Sequence, residues 1–173
     1  MDPRSSVSNA LAALRLELAV EVARTFGSLR LRVAGTSMMP AIQPGDLLSI
    51  DRVDLRDTSP GEIVMFAREG RLFAHRIVDQ SGGAGDPCAS APYCASEPYL
   101  VTRGDRLLGN DPPVFQSELL GRVTSIERGR RQVRSSPWLR GPNRVLGCLL
   151  RSSDRATAPF LRLTALWRAR ALG

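Results

Sequence analysis

The sequence predicts a mainly β domain with a helix before it and a helical extension after it. Between about residues 29 and 133, short runs of alternating apolar and polar side chains are separated by Gly, Pro and Asp, as in antiparallel strands. On both sides of this region, apolar residues recur every three or four positions, which is the spacing of a helix with one apolar face. We therefore expect an amphipathic helix at 1–28, a central domain at 29–136 and a basic helical extension at 137–173.

The N-terminal helix is predicted by the apolar side chains between Ser8 and Phe26. These side chains form one stripe at intervals of three and four residues: Leu11, Leu14, Leu18, Val22 and Phe26. In an amphipathic helix such a stripe faces the core. Gly27 follows directly, and glycine is the residue most often found just after the last helical turn.

The central region contains six predicted strands. They are Leu29–Ala34, Asp46–Val53, Glu62–Arg68, Arg71–Asp79, Tyr99–Arg103 and Leu119–Glu127. Glu69 and Gly70 predict a tight hairpin turn between the third and fourth strands. Residues 80–98 are rich in Gly, Ser, Ala and Pro and predict a loop insert rather than a strand.

The segment after Pro137 combines apolar and basic side chains. Phe160, Leu163 and Trp167 form a short stripe with arginines around it. A basic amphipathic helix of this kind can dock on its own domain, on a membrane surface or on a membrane subunit. We expect docking on its own domain, with peripheral membrane contact or a membrane subunit as the alternatives.

Composition limits the classes of partner. The formal net charge is +7 and all 24 basic residues are arginine, yet aromatic residues make up only 5% of the chain. Nucleic-acid-binding modules interleave basic and aromatic side chains, so we expect no nucleic-acid partner.

The three irregularly spaced cysteines predict neither a disulfide framework nor a zinc site, and we expect no metal and no cofactor. Because no run approaches the roughly 20 apolar residues of a spanning helix, we expect a cytoplasmic protein, at most peripheral at the membrane.

A serine in a sharp turn is the first candidate for chemistry. Gly35 and Pro40 bracket a turn that would display Ser37. A serine nucleophile needs a neighbouring base, because its own hydroxyl stays protonated near neutral pH. The chain has no lysine and a single histidine, His75, so a serine hydrolase with this sequence must use a Ser/His pair. The amide of Ser37, with the amide or hydroxyl of Thr36, is the predicted donor set for an oxyanion.

Two aspartates are candidates for the acid that orients the imidazole. His75 lies in a predicted strand on the face of Phe73 and Ile77. Asp105 follows the next strand in a Gly-Asp turn, and Asp111 precedes two prolines. Either aspartate can hold the imidazole in one tautomer and stabilise its charged form. The sequence leaves the choice between them open.

Taken in order, these motifs resemble the type I signal peptidases. The similarity runs from about residue 31 to residue 127 and rests on Gly35-x-Ser37-Met38-x-Pro40, Pro44-Gly45-Asp46, Gly61-Glu62-Ile63-Val64, His75-Arg76-Ile77, Thr102-Arg103-Gly104-Asp105, Asp111 and Gly121-Arg122-Val123. His75 stands where the common bacterial members carry a catalytic lysine. The chain is therefore similar to the Ser/His branch, as in the endoplasmic-reticulum, archaeal and sporulation-type bacterial enzymes.

The resemblance implies a fold and a set of roles. The fold would be a β-barrel-type catalytic domain of the signal-peptidase/LexA-like kind, with Ser37 as nucleophile, His75 as general base and Asp105 and Asp111 as acidic partners. The implied activity is cleavage of a peptide or precursor protein after small residues, as in signal-peptide processing, with the substrate bound as an added strand. We expect two departures from the family: no membrane anchor before Ser37, and a Gly-Asp-Asn-Asn segment that reads Gly104-Asp105-Arg106-Leu107.

Two other functions are consistent with the same fold. A self-cleaving regulator of the LexA type has a similar Gly-x-Ser-Met turn, but such proteins use a lysine base, which this chain lacks. The second alternative is a peptide- or membrane-binding module without catalysis. The presence of Ser37, His75, Asp105 and Asp111 in one chain argues against it.

Overall fold

A computed structural model describes residues 3–81 and 97–133 of the chain. The described elements are α1 (Pro3–Phe26), β1 (Ser28–Arg32), β2 (Leu47–Asp51), a 3-10 helix (Leu55–Asp57), β3 (Ile63–Arg68), β4 (Arg71–Ser81), β5 (Tyr99–Arg103), β6 (Val114–Phe115), β7 (Leu119–Arg128) and β8 (Arg131–Val133). The predicted C-terminal helix, and residues 82–96 of the predicted insert, lie outside the described residues. The insert begins later than predicted, because Gln80 and Ser81 continue strand β4.

The strands form one antiparallel sheet, which confirms the predicted mainly β class. Its order is β1-β2-β7-β3-β4-β5-β6, and β8 pairs with β7 beside this path. Every one of these pairings is antiparallel. The predicted barrel-type arrangement thus takes the form of a single sheet whose path runs from β1 to β6 in the described part of the chain. The turn from Gly35 to Pro40, which carries the predicted nucleophile Ser37 and is called the nucleophile turn below, lies between β1 and β2, and His75 lies on β4.

Strand β3 is buried on both of its faces. Ile63 and Met65 belong to an apolar cluster that includes residues of α1, whereas Val64 and Phe66 belong to a second cluster on the opposite face. Successive side chains of a strand point to opposite faces, so four consecutive apolar residues require apolar surroundings on both sides. The central position of β3 in the sheet provides these surroundings, and it brings β4 with His75 into the interior as well.

The predicted packing face of α1 is wrong for Leu14, Leu18 and Phe26, although Val22 packs partly buried against the apolar cluster. Leu14, Leu18 and Phe26 are 61%, 63% and 74% exposed, whereas Ala19 and Ala23 are buried against the sheet. Alanines four residues apart also share one helix face, and their small side chains allow the helix axis to approach the sheet closely. The spacing of apolar residues identifies an apolar stripe on the helix, but it does not determine which helix face packs against the sheet. Within residues 3–81 and 97–133, no helix combines the length and apolar character needed to cross a bilayer.

The predicted ends and turns agree with the structure where local chemistry decides them. Gly27 has φ 69° and donates its N–H to the carbonyl of Ala23 at 3.2 Å, which ends α1. Glu69 and Gly70 have φ values of 50° and 71° and form the two-residue turn between β3 and β4. Strands β6 and β8 were not predicted, because two or three residues are too short to show alternation.

Candidate active site

The nucleophile turn is anchored by the side chains that follow the serine. Met38 and Met39 are buried, with exposed fractions of 4% and 0%, while Ser37 is partly exposed. The amide of Met39 donates to the carbonyl of Thr36 at 3.2 Å, and the amide of Ile42 donates to the carbonyl of Met38 at 3.0 Å. The apolar pair therefore fixes the turn to the core and leaves the serine hydroxyl at the surface.

His75 lies directly beside this hydroxyl. Its Nε2 is 3.0 Å from Ser37 Oγ, and the ring is almost fully buried. Two aromatic rings pack against it in T-shaped arrangements, with centroid distances of 6.0 Å to Phe66 and 5.8 Å to Phe73. These contacts limit rotation of the imidazole and keep Nε2 directed at the serine.

Asp111 binds the other side of the imidazole. Its Oδ2 is 2.6 Å from His75 Nδ1 and also accepts a hydrogen bond from Thr102 Oγ1 at 2.7 Å. The backbone of Thr102 holds the same aspartate, because the Asp111 amide donates to the Thr102 carbonyl at 2.8 Å. Ser37, His75 and Asp111 thus form a continuous row, with Thr102 behind the carboxylate. Sequence reasoning missed Thr102, although it stands in the quoted Thr-Arg-Gly-Asp motif.

The charge state of Asp111 determines the tautomer of His75. Burial raises the pKa of the Asp111 carboxyl, but hydrogen bonds from His75 and Thr102, together with the charges of His75 and Arg68, lower this pKa below its ordinary value. An ionised carboxylate has no proton to donate, so the hydrogen in the contact lies on Nδ1. In the neutral ring, Nε2 then carries the lone pair that faces the serine hydroxyl, as a general base requires.

Asp105 lies elsewhere, in a buried ion pair with Arg76. Arg76 Nε and Nη2 each donate to one Asp105 oxygen at 2.8 Å, and Nη1 donates to the carbonyl of Gly61 at 2.8 Å. The two side chains are only 9% and 5% exposed. The structure therefore places Asp111 against the imidazole and Asp105 against the arginine that follows it on β4. Asp105 fastens the segment after β5 to strand β4.

The backbone around Ser37 has amides available for an oxyanion. The amides of Thr36 and Ser37 make no hydrogen bond to residues 3–81 or 97–133. The Ser37 carbonyl accepts the amide of Arg106 at 2.8 Å, and Arg106 Nη1 is 3.3 Å from Thr36 Oγ1. Gly104 allows this close approach, because a Cβ at that position would lie 2.9 Å from the Ser37 carbonyl oxygen. The segment after β5 thus supports the turn without covering its amides.

Residues 9–84 match the family model described as Peptidase S24-like. The matched segment contains most of α1, the nucleophile turn and the strand of His75, and it ends before Asp111. No curated protein matches the chain. Over these residues the chain is similar to S24-like peptidases, and the mainly β fold is consistent with that similarity. The finer resemblance to type I signal peptidases stays a prediction.

The described part of the chain contains no group of three or more His, Cys, Asp or Glu side chains arranged to hold a metal ion. The groups that meet at the site are a hydroxyl, an imidazole, a carboxylate and backbone amides. The serine hydroxyl has a base within hydrogen-bond distance, and the base has an orienting carboxylate. This arrangement suits nucleophilic attack on a carbonyl carbon.

Proposed function

We propose that the protein is a serine endopeptidase that forms an acyl-enzyme on Ser37. The observation that supports it is the row of short contacts, 3.0 Å from Ser37 Oγ to His75 Nε2 and 2.6 Å from His75 Nδ1 to Asp111 Oδ2. His75 takes the hydroxyl proton as Oγ attacks the peptide carbonyl, and the resulting oxyanion is stabilised by the amides of Ser37 and Thr36. The imidazolium gives the proton to the leaving amine, and water then releases the acyl group by the same steps in reverse order.

An extended peptide has a place to bind on strand β4. Arg68 and Arg71 form the hydrogen-bonded pair that closes the hairpin between β3 and β4. Hydrogen-bonded and non-hydrogen-bonded pairs alternate along an antiparallel ladder, so the backbone N–H and C=O groups of Leu72 and Ala74 point away from β3. Strand β5 pairs with β4 only from Arg76 onward. The stretch of β4 just before His75 therefore has an open edge toward the nucleophile in the described structure. Addition of a substrate as a strand along this edge would bring a carbonyl to Ser37.

We assign the substrate class from the resemblance to type I signal peptidases of the Ser/His branch. The proposed substrate is a peptide or precursor protein cut after small residues, as in signal-peptide processing. Contact of the basic segment 137–173 with a membrane surface or a membrane subunit is part of the same proposal, because substrates of such enzymes lie at membranes.

The second candidate is a self-cleaving regulator of the LexA type, which the Peptidase S24-like match favours. Intramolecular self-cleavage proceeds at a rate that does not depend on protein concentration. The rate of cleavage of a separate substrate rises with the concentration of the enzyme. The absence of lysine and the contact between His75 and Ser37 favour the first candidate.

Mass spectrometry of a peptide library incubated with the wild type, Ser37→Ala and His75→Ala tests the proposal. We expect cuts after small residues with the wild type and a loss of several orders of magnitude with either variant. Thr124→Ala is the matched control, because it removes an exposed hydroxyl on β7 that bonds the carbonyl of Ser49 and contacts none of Ser37, His75 and Asp111. A folded His75→Ala protein, by circular dichroism, that retains wild-type activity would rule out the mechanism.

A further inference from the structure

We infer that Arg68 is a positioning residue for the proposed catalytic acid, because its guanidinium fixes the backbone that follows Asp111. The inference rests on the proposed serine peptidase and deepens it. Arg68 is the last residue of β3 and belongs to none of the motifs that predicted the site. Its role would be to hold Asp111 at the distance and angle that His75 requires.

The guanidinium of Arg68 makes four short contacts to the segment that carries Asp111. Nη1 donates to the carbonyl of Pro112 at 3.1 Å, and Nη2 donates to the carbonyl of Pro113 at 2.6 Å. Nε and Nη2 also bind the two carboxylate oxygens of Glu118, each at 2.6 Å. Pro112 and Pro113 have no N–H, so their backbone can form hydrogen bonds only through its carbonyls. A planar fork of donors binds two carbonyls and a carboxylate at once, which a lysine ammonium does not match.

Glu118 holds the guanidinium in place. Its backbone carbonyl accepts the amide of Ala67 at 2.9 Å, and its amide donates to the carbonyl of Phe115 at 3.0 Å. Its Oε2 also accepts the amide of Phe115 at 3.2 Å. The hydrogen bond from Arg68 lowers the pKa of the Glu118 carboxyl, and the hydrogen bond to Glu118 raises the pKa of Arg68. The pair stays charged and joins the end of β3 to the turn after β6.

A second contact joins Arg68 to the imidazole side of the site. The guanidinium carbon lies 5.4 Å from the centroid of the Phe66 ring, the geometry of a cation–π contact. The Phe66 ring in turn packs in a T-shaped arrangement on His75, with the ring centroids 6.0 Å apart. One side chain therefore touches both the backbone after Asp111 and the ring that packs on His75. Loss of Arg68 would loosen both partners of the Asp111–His75 contact at once.

The single histidine of the chain allows a direct measurement. In protein labelled with ¹⁵N-histidine, every ring signal belongs to His75, and the Nδ1 and Nε2 shifts report the tautomer and the hydrogen bond to Asp111. For Arg68→Met we expect a shift of these signals toward a mixture of tautomers. We also expect kcat to fall by about 10- to 100-fold, as is typical when the partner of a site residue is removed, with KM within about twofold. KM should change little because Arg68 binds the chain itself rather than the proposed substrate edge.

Arg122→Met is the matched control, because Arg122 forms an ion pair with Glu62 at 3.0 Å and lies on the neighbouring strand β7. It should leave the ring signals and kcat unchanged. Arg68→Lys keeps the charge without the fork and should recover only part of kcat. If Arg68→Met fails to fold, Glu118→Gln gives the same test, because it weakens the hold on the guanidinium while keeping the side-chain shape.

Folded Arg68→Met with wild-type ring signals overturns the inference, whether or not kcat falls, since a purely structural role would not require the imidazole to respond. If Arg68→Met does not fold, unchanged signals in both Arg68→Lys and Glu118→Gln overturn it. The spectra do not depend on activity. Should the wild type show no Ser37-dependent cleavage while the ring signals respond to Arg68→Met, the proposed function fails and the positioning contact stands.

Discussion

Asparagine substitution of each aspartate after β5 separates the two roles that the sequence left open. Asp105→Asn changes the partner of buried Arg76, whereas Asp111→Asn changes the partner of His75. Both variants remove one carboxylate and keep nearly the same volume. A difference between them therefore reports the partner and not the size of the side chain.

The expected magnitude for Asp105 follows from its burial. Arg76 and Asp105 are 9% and 5% exposed and share two hydrogen bonds of 2.8 Å. Breaking one side of a buried pair costs about 3 to 5 kcal/mol, since the remaining charge stays buried without its counterion. Asparagine keeps one acceptor oxygen, so we expect the lower end, about 3 kcal/mol. For a domain of this size, that corresponds to a fall in Tm of roughly 10 °C.

The expected effect for Asp111 is on the rate. An asparagine at this position can donate to Nδ1 and so favour the tautomer whose Nε2 carries the hydrogen, which cannot accept the proton of Ser37. The expected fall in kcat is on the order of 10⁴-fold. The loss of stability should be smaller than in Asp105→Asn, because the Asp111 side chain is 19% exposed.

Thermal denaturation and peptide cleavage at 25 °C and pH 7 measure the two effects on the same preparations. We expect Asp105→Asn to lose Tm and to keep a kcat far above that of Asp111→Asn while folded. The reasoning is refuted if folded Asp105→Asn loses as much kcat as Asp111→Asn. An Asp105→Asn protein with the wild-type Tm would likewise refute the account of the buried ion pair.

Three further predictions follow from single contacts. Thr102→Val removes the hydroxyl that donates to Asp111, and kcat should fall by about tenfold, the effect of one hydrogen bond to a charged group, while Thr102→Ser recovers it. Gly121→Ala places a Cβ against the carbonyl of Asp51, so β2 and β7 must separate, and urea unfolding should show a loss of about 2 to 3 kcal/mol. The pKa values of Asp111 and Glu118 are lower in the folded protein than their ordinary values. Both carboxylates therefore stabilise the folded protein at pH values above the ordinary carboxyl pKa of about 4. This stabilisation is lost as the pH falls below that value and through the lower pKa of the folded state. The difference in urea midpoint between the wild type and Glu118→Gln should therefore be smaller at pH 3 than at pH 7.

Each of these predictions has a control within the chain. Gly109→Ala should be nearly neutral, because nothing lies within 4 Å of a Cβ at that position. A loss at Gly109 as large as that at Gly121 would contradict the assignment of the Gly121→Ala cost to contact with Asp51. A Thr102→Ser protein as slow as Thr102→Val would exclude the hydroxyl as the relevant group. A stability difference between the wild type and Glu118→Gln that persists undiminished at pH 3 would contradict the lowered pKa of Glu118.

Prediction of the fold succeeded where the pattern was long and local. All six predicted strands are present because alternation over five or more residues is a strong signal, and β4 extends two residues further than predicted. The buried face of α1 was not predictable in the same way. The stripe with Leu14 and Leu18 is more apolar than the row with Ala19 and Ala23, yet the alanines pack on the sheet. How closely a helix packs on a sheet depends on the shapes of both surfaces. The sequence of the helix describes only the helix surface, so it does not show which face fits the sheet.

The sequence by itself determined which chemistry was possible and where the local turns lie. One histidine and no lysine restrict a serine nucleophile to an imidazole base, and Gly27 and Gly70 supply the positive φ that ends a helix or closes a hairpin. Tertiary structure alone decided the partners. Ser37, His75 and Asp111 are separated by 38 and 36 positions, and only the pairing of β4 with β5 decides which aspartate meets the imidazole. Residue types and short-range spacing limit the conformations of each segment, but contacts across the sheet depend on register and packing between segments distant in the chain.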